Sequence, residues 1–426
     1  MTLRSDTGRP VVYLHIGAMK TGTTYLQELV YANREQLAAA GLLVPGETWG
    51  RQVRGVQDVM RLGRTDRHIR RMSKGAWQEL LDDACSSPDN VSLISVEFFS
   101  FAGRRKVRHI MKTLEGFDVR VILTVRNMAS ALPSQWQTLV HNGGRWTWEE
   151  FLDALPQPVV RPFPFLGRVR PLEGEFHRTQ NVPRMLTTWA PYLAPGSLHV
   201  VTVPRRRERP GELWQRIATV IGVDPAAITH PAEGTNPSLG HASSELVRRL
   251  NTRLGRLPQS EYNWTVKEPV ALEVLAKRAS EEGKAQLTRA AYDLALRWNA
   301  LTREVIEQTG AQVCGELSDL PTEPDPALRA SLPEVPGSPR TPVILDAAEE
   351  AAATFARHAR RRRRKLARAG VSVELVERPP QEELRSLWES SEDPLDAAAR
   401  DLADRAREDA QLLRRIRDER HRGAAV

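Results

Sequence analysis

The sequence predicts an α/β fold: a mostly parallel sheet flanked by helices, followed by a helical C-terminal appendage. Two observations predict it. Short runs rich in β-branched residues alternate with stretches of helical periodicity as far as Gly310, which is typical of parallel sheets wrapped by helices. The chain has 426 residues, more than the roughly 250 to 300 at which a single core stops growing, so we expect a second, smaller part.

The chain opens with a strand, a tight loop and a helix. Residues 11–16 are β-branched and aromatic and end at Gly17, and residues 23–40 show helical periodicity up to Gly41. Three more runs predict strands, at residues 91–97, 119–125 and 198–203. Ligands of such sheets bind at the carboxyl ends of the strands, so the residues that follow these runs are candidates for a functional site.

The end of the predicted α/β domain and the region after it differ in composition. Apolar side chains four and three residues apart over residues 287–305 predict a closing helix with Trp298 on its buried face. Seven prolines between Pro321 and Pro342 predict a linker. We therefore predict three segments, which are an α/β domain over residues 1–318, a Pro-rich linker over 319–343 and a helical, basic region over 344–426.

The C-terminal region carries a run of cations at residues 360–365. Such a run could bind nucleic acid, but acidic residues on either side dilute its charge, so we do not expect a nucleic-acid partner. Apolar residues at coiled-coil-like spacing over residues 395–420, interrupted by Asp409, predict that the final helix packs against the protein or self-associates.

The composition excludes several classes of protein. Hydrophobic residues make up 41% of the chain and charged residues 27%, a balance that can bury a core. No run approaches the roughly 20 apolar residues of a transmembrane helix, and the polar start lacks the apolar core of a signal peptide. Two cysteines are too few for a disulfide framework. We therefore expect a cytoplasmic protein, whose net charge of +8 favours anionic ligands.

A glycine-containing loop follows the first predicted strand. Residues 17–24 read Gly-Ala-Met-Lys-Thr-Gly-Thr-Thr. The Walker loop of nucleoside-triphosphate enzymes has a lysine directly after its second glycine, whereas here Thr23 occupies that position and the cation is Lys20. Glycines let the backbone approach an anion, and the N-terminus of the following helix adds the positive end of its dipole. The loop therefore predicts an anion site in which Lys20 supplies a positive charge and no metal is required.

The stretch HIGAMKTGTTYLQ, residues 15–27, resembles the 5′-phosphosulfate loop of sulfotransferases that use 3′-phosphoadenosine 5′-phosphosulfate (PAPS). The resemblance implies a P-loop-like sulfotransferase fold, PAPS as the sulfuryl donor, and transfer to a hydroxyl or amine of a carbohydrate, lipid or small metabolite. It also implies that the 5′-phosphosulfate is held by Gly17, Lys20, Thr21, Gly22, Thr23 and Thr24. The alternative is an ordinary strand-to-helix turn with a surface lysine.

A second signature of the same family resembles the end of the strand predicted at residues 119–125. Arg126 and Asn127 follow this strand, and Ser134 comes eight residues after the arginine. The resemblance implies that Arg126 and Ser134 bind the 3′-phosphate of PAPS, and a guanidinium fork suits a phosphate. The alternative for Arg126 is a structural ion pair at the end of a strand.

This chain departs from the family pattern just after Arg126. Members commonly have a proline two residues after the arginine, where Met128 stands here, and Pro133 lies further on. Because proline is tolerated only in a first helical turn, we expect the helix to begin near Ser130, with Ser134 close to its N-terminus.

Two residues are candidates for the general base that takes the acceptor's proton. Glu97 ends the second predicted strand, and carbohydrate-type members of the family use a glutamate in a comparable place. His141 is the rival, because small-molecule members use a histidine. Each has a structural alternative: Glu97 would cap the next helix, and His141 precedes a helix-stop signal at residues 142–144. The candidate catalytic residues are therefore Lys20, Glu97 and His141.

Four other ring-bearing side chains are interpreted as packing. His15 lies within the first strand and predicts a buried core histidine. Trp136, Trp146 and Trp148 are predicted to pack together, and the alternative is that they flank the acceptor or the adenine.

Two other functions stay open at the level of sequence. One is a nucleoside-triphosphate-dependent kinase with an atypical loop, against which the displaced lysine argues. The other is an anion-binding or nucleic-acid-binding protein without catalytic activity.

Overall fold

The fold is described from a computed structural model that covers residues 8–62, 67–86, 91–160, 170–205, 211–232, 238–373 and 376–423. The polar start of the chain, residues 1–7, lies outside the described residues. The chain divides into two compact units. The first unit contains residues 1–132, 154–236 and 289–331, and the second contains residues 133–153, 237–288 and 332–426. The three segments predicted from the sequence stay a prediction.

The first unit is built on a six-stranded sheet in which every pair of neighbouring strands is parallel. Its strands are β1 (Val11–His15), β2 (Leu42–Leu43), β3 (Val91–Ser95), β4 (Asp118–Val125), β5 (Leu198–Thr202) and β6 (Gln312–Cys314). Their order across the sheet is β2-β3-β1-β4-β5-β6. The chain leaves β1 toward one edge and returns past it to β4, so the topological switch point lies between β1 and β4. The predicted fold class is confirmed.

Both faces of the sheet are covered by apolar side chains of the first unit. Val12 and Leu14 face one core cluster, and Val11 and Tyr13, which alternate with them, face the other. All four side chains are at most 2% exposed. A parallel strand buried on both faces needs an almost continuous apolar run, which is what the sequence supplies here.

Helices pack on both faces of this sheet. Those of the first unit are α1 (Thr23–Ala32), α2 (Arg34–Ala39), α3 (Trp49–Val59), α4 (Arg67–Ser73), α5 (Ala76–Ala84), α6 (Arg104–Thr113), α9 (Pro171–Thr179), α10 (Val182–Trp189), α11 (Glu212–Ile221), α15 (Arg289–Thr309) and α16 (Pro326–Ser331). The helix α7 (Met128–His141) begins in the first unit and ends in the second.

The helix predicted over residues 23–40 is interrupted at Asn33, which separates α1 from α2. The Asn33 side chain is fully buried. Its amide nitrogen donates to the carbonyls of Leu29, at 2.9 Å, and His230, at 2.7 Å. Its oxygen accepts from the backbone N–H groups of Thr229 and His230, both at 2.7 Å. The bonds to residues 229 and 230 stabilise the interruption of the helix at Asn33. Helical periodicity in the sequence cannot reveal such long-range bonds.

Two predictions about helices have clear outcomes. Trp298 is 1% exposed within α15, which confirms it as a core residue. The start of α7 is two residues earlier than predicted, at Met128, so Pro133 lies beyond the first turn. Asn299 explains the earlier start, because its Oδ1 accepts from the Met128 N–H at 3.0 Å, and the side chain of Asn127 accepts from the Ala129 N–H at 3.1 Å.

The second unit is helical in its described part. Besides the end of α7 it contains α8 (Trp148–Asp153), α12 (His241–Leu254), α13 (Gln259–Tyr262), α14 (Ala279–Glu282), α17 (Thr341–Arg368), α18 (Leu384–Glu389) and α19 (Pro394–Gly423). A π-helical stretch, Asn263–Leu272, follows α13. The predicted helical C-terminal region is confirmed, and no described helix is long and apolar enough to cross a membrane.

The predicted linker over residues 319–343 is not extended throughout. It contains α16, whose Arg329 pairs with Asp293 of α15, 2.8 Å away. This pair is exposed, so it contributes little to stability. The helix nevertheless places residues 326–331 against the first unit.

Asp409 is a buried carboxylate in the packing between α17 and α19. Its Oδ2 lies 3.0 Å from Nη1 of Arg362, but that nitrogen donates its hydrogen bond to the backbone carbonyl of Asp409 at 2.8 Å. The carboxylate oxygens themselves accept no hydrogen bond within the described residues. Burial raises the pKa of Asp409 to about 7, because the attraction of Arg362 only partly offsets the loss of hydration.

We expect the Asp409→Asn variant to be more stable than the parent at pH 8 and nearly equal to it near pH 4. The folded-state pKa is raised above the unfolded value of 3.8, so the contribution of Asp409 to stability is present below that value and is lost as the pH rises toward 7. The full effect is on the order of 4 kcal/mol. Thermal unfolding of both chains at several pH values measures it. The Asp404→Asn variant, an exposed change on the same helix, is the control. A stability difference that does not grow with pH would contradict this prediction.

Candidate functional site

The loop of residues 17–24 lies at the carboxyl end of β1, and backbone hydrogen bonds fix its start to β4. The Ala18 N–H donates to the Thr124 carbonyl at 2.9 Å, and the Thr124 N–H donates to the Gly17 carbonyl at 2.7 Å. The other side of the loop is held by the end of α9, where Nε2 of Gln180 donates to the Met19 carbonyl at 3.0 Å. The loop is thus anchored at the topological switch point of the sheet.

A chain of buried polar side chains connects the sheet to this loop. Nδ1 of His15 lies 2.7 Å from the Ser95 hydroxyl, and its Nε2 lies 3.1 Å from the Thr124 hydroxyl. The Thr124 and Thr21 hydroxyl oxygens are 2.5 Å apart, and Thr21 donates to the Ala18 carbonyl at 2.6 Å. His15 is fully buried, and burial lowers its pKa to about 4. It is therefore neutral at physiological pH and helps to position the loop. The prediction that His15 is a buried core histidine is confirmed.

Besides Gly17, with a φ of 102°, two further residues of the loop have left-handed backbone angles. Lys20 has a φ of 65° and Gly22 a φ of 88°, both in the left-handed region. A non-glycine residue in that region costs on the order of 1 kcal/mol or more and persists only where its surroundings impose it. At Gly22 a Cβ would also lie 2.6 Å from the Leu213 side chain, so a larger residue would combine backbone strain with a shift of that side chain.

The loop leads directly into the N-terminus of α1. The N-cap residue of this helix is Gly22, so it provides no side-chain cap. The first helical hydrogen bond runs from the Leu26 N–H to the Gly22 carbonyl at 3.1 Å. The N–H groups of Thr23, Thr24 and Tyr25 precede that bond and so have no acceptor within the helix. Together with the helix dipole, these donors form an anion-binding end. Thr23 is buried, whereas Thr24 is exposed.

Arg126 follows β4 by one residue and reaches the loop. Its Nη1 donates to the backbone carbonyl of Lys20 at 3.2 Å. Both residues are half-buried. The Arg126 side chain therefore contacts the loop at Lys20, through the backbone of that residue. The Arg126 guanidinium and the Lys20 ammonium belong to residues that follow neighbouring strands. Two such cations can neutralise a ligand that carries more than one anionic group.

Glu97 is the first residue of a 3₁₀ helix, Glu97–Phe101, because β3 ends two residues earlier than predicted. Its Oε2 accepts a hydrogen bond from Nε2 of Gln27 in α1 at 2.9 Å. A Cβ added to Gly17 would lie 3.3 Å from the Glu97 Cβ, so the start of this side chain adjoins the loop. The structure thus places Glu97 beside Gly17 and Arg126 against Lys20, all within the first unit.

Ser134 and His141 lie on the part of α7 that belongs to the second unit. Ser134 is half-buried, and its carbonyl accepts from the Thr138 hydroxyl at 2.9 Å. His141 is the last residue of α7, and Gly143, with a φ of 99°, follows the helix end, so the predicted helix stop is confirmed. The roles of Ser134 and His141 stay predictions.

Two of the three tryptophans named from the sequence are buried in the second unit. The rings of Trp136 and Trp148 lie 5.3 Å apart, and both side chains are less than 5% exposed. This pair is core packing, as predicted. Trp146 differs from them, because 36% of its surface is exposed.

Three residues that hold the loop and the start of α7 were missed by the sequence analysis. They are Thr124, Gln180 and Asn299, which lie on separate elements far apart in the chain. Each acts through side-chain hydrogen bonds to segments that are distant in the chain. The sequence gives no signal for such bonds, since threonine, glutamine and asparagine are common in these elements.

Among the residues that the structure describes, no three His, Cys, Asp or Glu side chains are grouped so that they could hold a metal ion. No protein-family model matches the chain, and no curated protein matches it. Among solved structures, the chain is similar to the crystal structure of a sulfotransferase from Alicyclobacillus acidocaldarius. The two are 12% identical, the match covers 53% of this chain and 86% of that one, and the TM-score is 0.35. A likeness of this size carries no argument about the activity of this chain.

Proposed function

We propose that the protein is a sulfotransferase that moves a sulfuryl group from PAPS to a hydroxyl or amine of an acceptor. The observation that carries the proposal is the contact between Arg126 and the Lys20 carbonyl at the switch point of the sheet. This contact joins Arg126, which follows the neighbouring strand, to the glycine-containing loop. The loop in turn leads into the uncapped start of α1. A ligand with anionic groups at two positions, a 5′-phosphosulfate and a 3′-phosphate, matches that pair of cations.

The residues of the loop fit the 5′-phosphosulfate of this donor. The N–H groups at the start of α1 lack helical acceptors and would bind its oxygens. Lys20 would stabilise the negative charge that develops on the leaving phosphate oxygen. When bound, PAPS supplies an activated sulfuryl group, and the chain's own residues bind, orient and neutralise charge. Thr21 is already engaged with Ala18 and Thr124, so we assign it to holding the loop in shape.

The side of the loop near Glu97 is where we propose that the acceptor loses its proton. The Glu97 carboxylate is oriented by the amide of Gln27, which also donates to the Ser95 carbonyl at 3.1 Å. The same amide nitrogen makes both bonds, so its bond to the end of β3 helps to fix where it holds the carboxylate. The second Glu97 oxygen would then accept the proton of a hydroxyl or amine. Arg126 and Ser134 are proposed to bind the 3′-phosphate, the latter on the sequence spacing alone.

Binding of adenosine 3′,5′-bisphosphate tests this proposal without any knowledge of the acceptor. We expect the bisphosphate to raise the unfolding temperature of the full chain without magnesium, because ligands that bind only the folded state stabilise it. The Arg126→Ala variant should bind it about 10- to 100-fold more weakly, since hydrogen bonds to a charged group are worth about 1.5 to 3 kcal/mol. Isothermal titration calorimetry measures both affinities.

The matched control is Arg105→Ala, which removes an exposed arginine of α6. Its affinity for the bisphosphate should equal that of the parent chain. Magnesium-dependent binding of ATP, without any response to the bisphosphate, would instead support the kinase hypothesis and exclude the function proposed here.

A further inference from the structure

A second candidate site lies within the second unit. It is a cavity of about 420 Å³, within the size range of small-molecule pockets. Three segments form its wall, and they are the residues after α7, the end of α12 and the start of α13. The residues that carry the argument are Arg145, Trp146, Asn251, Arg256 and Tyr262.

The floor of this cavity is fixed by buried hydrogen bonds. The Tyr262 hydroxyl donates to Oδ1 of Asn251 at 2.8 Å, and the Asn251 amide donates to the carbonyls of Val140 and Gly144, both at 2.8 Å. Asn251 is 1% exposed and Tyr262 is 5% exposed. These bonds tie α12 and α13 to the segment after α7. The cavity is therefore preformed and would need little rearrangement to bind a ligand.

Close packing also fixes the segment that carries Trp146. A Cβ on Gly144 would lie 2.5 Å from the Leu139 carbonyl oxygen, so only glycine fits there. The indole N–H of the buried Trp136 donates to the Trp146 carbonyl at 3.0 Å. Trp146 is nevertheless 36% exposed, and it lines the cavity. A flat aromatic surface is thus held at the edge of a preformed cavity.

The charge of the cavity wall is positive. Two of its residues, Arg145 and Arg256, are cations, and none of its residues carries a carboxylate. Nη2 of Arg145 donates to the Gly255 carbonyl at 2.6 Å, which holds this guanidinium in place. The Arg256 guanidinium is exposed and has no hydrogen-bond or ion-pair partner among the residues that the structure describes. Elsewhere in this unit arginines commonly pair with acids, as Arg248 does with Glu245.

We propose that this cavity binds a small organic anion that consists of a ring with a carboxylate or sulfate group. The anionic group pairs with Arg256, whose planar fork matches two oxygens of such a group. The ring lies on the exposed face of Trp146, where either a sugar or an aromatic ring makes a favourable apolar contact. The proposal does not depend on the sulfotransferase assignment, because all of its residues belong to the second unit.

Calorimetric titration of the full chain with two anions and their neutral counterparts tests the proposal. D-Glucuronate is paired with D-glucose, and benzoate with benzyl alcohol. We expect at least one anion to bind, and its neutral counterpart to bind at least 10-fold more weakly. Binding of glucuronate alone indicates a sugar acid as the natural ligand, and binding of benzoate alone indicates an aromatic acid.

Matched variants locate the binding. Arg256→Gln should weaken the affinity for the anion at least 10-fold, and Trp146→Leu at least threefold, whereas Arg361→Gln, an exposed change on α17, should leave it unchanged. Thermal unfolding of each variant confirms that it folds. The proposal is overturned if neither anion binds, if a neutral counterpart binds equally well, or if Arg256→Gln binds the anion as tightly as the parent.

Discussion

Replacing Lys20 with methionine is expected to lower sulfuryl transfer by about 10²- to 10³-fold, the usual effect of removing one group that stabilises developing charge. Methionine keeps the length of the side chain but removes its positive charge. The backbone of the loop should survive the change, because its contacts to Arg126 and β4 use the carbonyl of residue 20 and the groups of Gly17 and Ala18.

A sulfuryl-transfer assay with a panel of hydroxyl and amine acceptors measures the effect, with PAPS as donor. Lys112→Met, which removes an exposed lysine of α6, is the control and should keep full activity. The bisphosphate product should still raise the unfolding temperature of Lys20→Met, which separates a loss of catalysis from a loss of folding. Turnover within threefold of the parent would remove Lys20 from the mechanism.

Replacing Glu97 with glutamine is expected to lower turnover by about 10²- to 10⁴-fold, because the neutral amide cannot accept the acceptor's proton. The hydrogen bond from Gln27 can persist, since the carbonyl oxygen of the new amide still accepts it. Binding of the bisphosphate should therefore be unchanged. This combination, turnover lost and nucleotide binding kept, distinguishes a base from a residue that only supports the loop.

His141→Gln is the paired test, because the sequence left both residues as candidates for the base. If Glu97 is the base, His141→Gln keeps most of its activity; if His141→Gln loses turnover and Glu97→Gln does not, the assignment is reversed. Glu115→Gln, at an exposed position after α6, removes a carboxylate away from the loop and is the control, which should keep the activity of the parent. If Glu97→Gln and His141→Gln both keep the activity of the parent, neither residue takes the proton.

The sequence by itself determined the fold class and the segments that lead to the site. Runs of strand type that alternate with helical stretches predict a parallel sheet wrapped by helices, and four of these runs lie within two residues of the observed strand ends. The loop of residues 17–24 was recognisable because glycines and a lysine directly after a strand form a local pattern. Local patterns are what one sequence reveals.

Only the tertiary structure decided how the loop is held and where helices break or begin. Asn33 divides a predicted helix through bonds to residues 229 and 230, and Asn299 starts α7 from a helix more than 170 residues away in the chain. The contact between Arg126 and Lys20, and the hydroxyl chain through Thr124, also join residues more than 100 positions apart. Such bonds depend on which strand ends become neighbours, and that is fixed by the order of strands in the sheet rather than by the residues of any one segment.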